Sequence, residues 1–302
     1  MGEGGLPSHD ARRWQSQPHL RTSLEYLRAV LGYLDRHDIR MYRMATSMAP
    51  YASHPDLPQF HHQVEECEAE LAQVGALSRD LDIRLSTHPG QYTVLNSESE
   101  SVRVAAVAEL EVQGALFEAM GLGPEAVVVV HVGGAARGHA AAADRFLAGF
   151  GQLSERARSR LVLENDDRVF GLRSALDVAE RAGVPLVFDI HHHQCHDPEG
   201  IDDREALDLA LASWPAGITP KVHFSSPRLD MGEKRKQVGR RVERTPVLPD
   251  LRLHADLIDP FAFEGFVRHT AGGLLEFDVM LEAKGKDLAL LRLREQLRVP
   301  LS

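Results

Sequence analysis

The sequence predicts an α/β protein of the (β/α)8 TIM-barrel class, and three observations carry that expectation. Short apolar runs alternate with helix-length amphipathic segments, the pattern of parallel strands joined by right-handed crossovers. Run after run ends in a metal-capable or acidic residue: His88, His131, Glu164, Asp189 with His192, Lys221 with His223, and Glu282, with His54 trailing the first run. Pro89-Gly90 and Gly133-Gly134 follow two of those ends, where the functional loops of such a barrel belong.

The elements follow in order. Leu24, Leu27, Leu31 and Leu34 recur at helical spacing, so Thr22 to Leu34 reads as a helix, with Thr22 and Glu25 in capping-box positions. A strand is expected at Ile39 to Met44, a helix at Gln63 to Leu81, a strand at Ile83 to Thr87 and a helix at Ser101 to Ala119. Strand Ala126 to Val132, helix Ala141 to Arg158, strand Leu161 to Glu164 and helix Leu172 to Arg181 continue the alternation. Strand Pro185 to Ile190, helix Glu205 to Ala212, strand Lys221 to Ser225, helix Phe261 to Thr270, strand Phe277 to Glu282 and helix Asp287 to Leu297 complete it. These are seven strands, and a closed barrel has eight. The first strand is therefore expected to be missing or irregular, because Met1 to Pro18 holds no run of strand-forming residues.

Length and composition fit this plan. The chain has 302 residues, 43% of them hydrophobic, enough for one barrel domain over 19–302 behind a polar, poorly ordered segment at 1–18. No segment approaches the ~18 continuous apolar residues of a membrane span. The two cysteines, Cys67 and Cys195, are too few for a disulfide framework, so a reducing cytoplasm is the expectation; a monomer is expected as well. A net charge of -10 excludes a general nucleic-acid coat protein, whose affinity rests on Lys and Arg. Against that background the stretch Gly232 to Arg241, with Lys234, Arg235, Lys236, Arg240 and Arg241, stands out as a basic loop able to hold a phosphate backbone.

Chemistry concentrates at the run ends. A carboxylate closing an apolar row must be paired or coordinated, since burying it alone costs several kcal/mol. A helix cap or salt bridge explains any one of them, but not six segments at once. Asp189-Ile190-His191-His192-His193 is the densest ligand segment, and its donors suit Zn or Mn. Lys221 and His223 share a strand face, which sets an ammonium toward cations. Lys221 must therefore be deprotonated, turned away to solvent, or converted to an anion. His254, beside Asp256, is a further candidate ligand.

Six segments together resemble the UV damage endonuclease family. They are Arg40-Met41-Tyr42-Arg43 with Ser53-His54-Pro55, Ser86-Thr87-His88-Pro89-Gly90-Gln91-Tyr92, Leu163-Glu164-Asn165-Asp166-Asp167, Phe188-Asp189-Ile190-His191-His192, Lys221-Val222-His223-Phe224-Ser225, and Met280-Leu281-Glu282-Ala283-Lys284-Gly285-Lys286-Asp287. The resemblance implies a TIM barrel related to endonuclease IV and the xylose isomerase-like group. It also implies a manganese site of two or three ions that nicks double-stranded DNA on the 5′ side of ultraviolet photoproducts. By position it implies His88, His131 and Glu164 for one ion, Glu164, Asp189, His223 and Glu282 for a central one, and Asp189, His192 and His254 for a third. Glu164, Asp189, Lys221 and Glu282 are the residues it marks as catalytic, with Lys221 carboxylated. Gln91 and Tyr92, with His54, become the lesion-binding residues. Rival readings are a sugar isomerase or abasic-site endonuclease on the same scaffold, or a truncated, non-catalytic damage-binding protein.

Overall fold

The computed structural model describes residues 13–238, 241–272 and 276–297. The expectation of disorder over 1–18 therefore falls largely outside the described residues; inside them, Trp14–Ser16 forms a 3-10 turn. The chain makes two compact units. The first runs to Glu164 and takes in Ser174–Leu186 and Ser213–Ile218, and the second comprises Asn165–Arg173, Val187–Ala212 and the chain from Thr219.

In chain order the first unit holds α1 (Leu20–Arg36), β1 (Met41–Met44), α2 (Gln63–Glu66), α3 (Glu68–Asp80) and β2 (Arg84–Thr87). It continues with α4 (Glu100–Ala119), β3 (Val127–His131), α5 (His139–Phe150), α6 (Glu155–Arg158), β4 (Leu161–Glu164) and most of α7 (Leu172–Ala182). Strands β1 to β4 pair in parallel and in order, with Met44 beside Thr87 and His131 beside Glu164. A parallel sheet covered on both faces wants continuous apolar strands, and Val127 to Val130 are all buried. Each such side chain contributes about 1.5–3 kcal/mol of burial. Register thus delivers the ends of β2, β3 and β4 to one edge of this sheet.

The second unit holds β5 (Leu186–Asp189, from Val187 on), α8 (Ile190–Cys195), α9 (Asp203–Ala212) and β6 (Lys221–Phe224). Then come β7 (Gly232–Val238), β8 (Arg241–Val247), α10 (Pro260–Gly265), a π-helical turn at Phe266–Thr270, β9 (Asp278–Leu281) and α11 (Asp287–Leu297). Strands β5, β6 and β9 are parallel, and Asp189 lies beside His223 in register. Phe224, Phe263 and Phe266 close the core here, with Phe224 and Phe263 edge to face at 5.1 Å.

Several expectations are corrected. Helix α1 starts before Thr22: His19 is the N-cap, its ring accepting from Arg21 N, so the Thr22–Glu25 capping box does not form. One helix expected from Gln63 to Leu81 is two, separated at Cys67, and that from Ala141 to Arg158 breaks where Ser154 caps a new turn by accepting from Ala157 N. The basic stretch is no loop. It is the antiparallel hairpin β7–β8, with Lys236 opposite Glu243. Among the described residues seven strands are parallel and none precedes α1. No described helix is long and apolar enough to cross a membrane.

Candidate metal centre

In the first unit, three expected ligands meet at the ends of adjacent strands. His88 follows β2, His131 ends β3 and Glu164 ends β4. Glu164 is wholly buried, and its Oε2 lies 2.8 Å from His88 Nε2 and 3.4 Å from His131 Nε2. The two imidazole rings stand 5.2 Å apart. Two nitrogens thus converge on one carboxylate oxygen. Donors around an octahedral ion with bonds near 2.1 Å lie about 3.0 Å from one another, so the spacing and the donor set both fit a divalent cation. Beyond His131 the chain turns at Gly133, whose φ of 104° favours glycine and where a β-carbon would meet Asn96 Oδ1 at 2.5 Å.

The exposed loops of the same unit carry the expected lesion-binding residues. Tyr92 is 84% exposed. Together with His54, Tyr51, Pro89, Gly90 and Glu109 it lines a cavity of about 510 Å³; Gln91 does not line it. The segment bearing His54 is tied down from below: Ser53 Oγ donates to Glu109 Oε2 at 2.6 Å, and Gln113 donates both to Glu109 and to the Thr46 carbonyl. Tyr51 adopts a left-handed φ of 61°, an uncommon conformation for a residue with a side chain.

In the second unit, Asp189 and His223 are wholly buried strand neighbours, and Glu282 follows β9. Glu282 divides its oxygens between two rings: Oε1 lies 3.2 Å from His223 Nδ1, and Oε2 lies 3.5 Å from His254 Nδ1. Asp189 caps α8, its Oδ1 accepting from His192 N at 2.8 Å, while Oδ2 lies 3.8 Å from His192 Nδ1. The histidine run is therefore a short helix begun by a candidate ligand, not a solvated loop. His254 and His192 rings stand 6.0 Å apart. Burial, reinforced by the neighbouring His254 and His192 rings, pushes His191 below the ordinary imidazole range. Asp256 is exposed and stands outside this set.

Lys221 is wholly buried at the start of β6, so it does not turn out to solvent. Cys195 Sγ lies 3.9 Å from the Leu251 carbonyl and 4.0 Å from His191 Nε2, and burial pushes its thiol up. Sequence reasoning gave no role to Asn165, which is wholly buried and hydrogen-bonds the backbone of Asp189 in both directions. The one available signal was an amide directly after a strand-ending carboxylate.

The hairpin is rooted beside His254. Ala255 N donates to the Ser226 carbonyl at 2.9 Å, Arg228 N to the Leu253 carbonyl at 2.6 Å, and Pro227 bridges His254. Lys234, Lys236 and Arg241 are exposed on it; Arg235 lies in β7 opposite Arg244, and Arg240 falls outside the described residues.

A profile of the UV-endonuclease UvdE family matches residues 9–300. The chain belongs to that family. The UV DNA damage endonuclease of Bacillus velezensis is 31% identical over 289 residues, 95% of this chain and 83% of the relative. That of Bacillus pumilus is 34% identical over 263 residues, 86% of this chain and 76% of the relative. The crystal structure of SacUVDE matches with a TM-score of 0.75 at 28% identity, covering 99% of this chain and 92% of that one. The E. coli 3-keto-D-glucoside 4-epimerase YcjR matches with a TM-score of 0.53 at 13% identity over 97% of both chains, a likeness of fold alone. The fold is the TIM barrel, and UvdE membership makes the chain a DNA-repair endonuclease.

Proposed function

We propose that this chain hydrolyses the phosphodiester on the 5′ side of ultraviolet photoproducts and related distorting lesions in double-stranded DNA, using two or three manganese ions. The observation that carries the reading is the convergence of His88 and His131 on the buried Glu164 carboxylate in a chain of the UvdE family. The ligands proposed are His88, His131, Glu164, Asp189, His192, His223, His254 and Glu282. Divalent ions held by these donors would supply Lewis-acid activation of a water, lowering its pKa toward neutrality, and would neutralise charge on the phosphate oxygens. The residues themselves hold the donors at fixed spacing and keep the carboxylates out of bulk water, which strengthens every charge interaction there. Lys221, buried whole, fits a carboxylated side chain better than a desolvated ammonium.

Gln91, Tyr92 and His54 are proposed to read the lesion, from exposed loops beside a cavity lined by two of them. Damaged DNA has already lost stacking, which lowers the deformation cost such probing requires. Lys234, Lys236 and Arg241, with Arg235 and Arg240 on the same stretch, are proposed to hold the backbone. A reducing cytoplasm suits two free cysteines, and a monomer is proposed. The test is nicking of supercoiled plasmid, irradiated, abasic or intact, with manganese or with chelator. Metal-dependent nicking of irradiated plasmid is expected, with intact plasmid spared. Preference for abasic plasmid, or no nicking at all, would refute the proposal.

A further inference from the structure

The structure assigns Asn165 the role of positioning residue for Asp189 and His192, an inference that rests on reading those two as ligands. Asn165 is wholly buried and is the first residue beyond β4. Its side chain treats the Asp189 peptide as a strand neighbour would: Nδ2 donates to the Asp189 carbonyl and Oδ1 accepts from Asp189 N, both at 2.9 Å. Its own carbonyl sits 3.0 Å from His192 Nδ1.

That last contact sets a tautomer. A carbonyl oxygen only accepts, so Nδ1 must carry the hydrogen and Nε2 keeps the basic lone pair. Metal-binding histidines are commonly oriented in this way, with one ring nitrogen donating to a carbonyl and the other left to the ion. Asp189 is fixed in turn, since its Oδ1 accepts from His192 N and so locks the carboxylate's rotation. One buried amide thus governs the backbone of the first ligand, while the same residue's carbonyl governs the ring of the second.

No other side chain does this work. Aspartate lacks the donor, alanine lacks both groups, and glutamine carries one methylene too many for a peptide-like pairing. Removing the outer partners of a ligand typically costs about 10–100-fold in metal affinity.

The test is a manganese titration by calorimetry of wild type, Asn165→Ala, Asn165→Ser, His192→Ala and the Asn165→Ala/His192→Ala double variant. Thermal melts of the metal-free proteins accompany it. One class of ions is expected to weaken about 10–100-fold in Asn165→Ala. The double variant should weaken little beyond His192→Ala, because Asn165→Ala unsettles Asp189 and His192→Ala removes its co-ligand, so both changes disable the site of the one ion that Asp189 and His192 would share. Undiminished affinity in Asn165→Ala, or fully additive losses, overturns the assignment. A flat wild-type titration overturns the ligand reading itself, a different result. Should neither Asn165 variant fold, the nitrogen NMR signature of His192 in the wild-type protein decides: Nδ1–H supports the role, and Nε2–H refutes it.

Discussion

The end of β6 and the hairpin that follows it lie only a few residues apart, yet they obey different physics. Every residue of β6 is buried, including Lys221 and His223. Every residue of β8 is exposed. A polar group at a buried strand end has few permissible explanations, because it must be paired, coordinated or neutralised. A charged group on an exposed ribbon is solvated at no cost, so its type constrains nothing by itself. Changes at the two kinds of place should therefore fail differently: a buried ligand should cost chemistry and metal together, and an exposed contact should cost recognition alone.

The largest effect is expected at Glu164. Glu164→Gln preserves volume but removes the charge on which two imidazoles converge, so nicking should fall by about three decades, several kcal/mol of lost electrostatic stabilisation. Initial rates at saturating manganese, with bound metal counted by mass spectrometry, check this. Retained cleavage with full metal content would break that contrast at its buried side.

The same contrast explains what could be read in advance. Strand β4 and helix α11 have the bounds the pattern predicts, because Leu161 to Glu164 is a compact apolar run and Asp287 opens an amphipathic one. The ligand candidates at strand ends stand out in the sequence because a His or carboxylate ending such a run is anomalous, whereas His254 lies in a loop and has no such signal. The hairpin was not legible: in a ribbon exposed on both faces no apolar row alternates, and Lys234 to Arg241 reads as a charged loop. The start of α1 was misplaced because His19, rarely a capping residue, supplies the cap. Asn165 was hidden for another reason, since its partners are peptide groups of a strand distant in sequence, and no local spacing reports them.

A middle-sized effect is expected at Tyr92, exposed yet placed on a cavity wall. Aromatic stacking on an unstacked base contributes about 1–3 kcal/mol. Tyr92→Ala should reduce the preference for irradiated over intact duplex by roughly 5- to 140-fold, as 1.4 kcal/mol is tenfold, with metal content unchanged. Binding titrations on both duplexes measure it. An unaltered preference would strip the loop of its reading role while leaving the ligand assignments standing.

The smallest effect belongs to the hairpin and is the sharpest test of the contrast, because it is defined by what does not change. Lys236 and Lys234 are two residues apart on β7, so they share a face of the ribbon, and register sets them opposite Glu243 and Thr245. A lysine that neutralises one phosphate contributes about 0.9 to the slope of log affinity against log salt on duplex DNA. Lys236→Ala should therefore flatten that slope by about 0.9 and weaken binding a few-fold near physiological salt. Because phosphate contacts carry no sequence or lesion information, irradiated and intact duplex should lose equally, and the nicking rate of bound DNA should hold. An unchanged slope would mean that this side chain touches no phosphate, with Glu243 across the ribbon as its more telling partner. A loss confined to irradiated duplex would instead move Lys236 from backbone holding to lesion reading, and exposure would no longer separate the two kinds of residue.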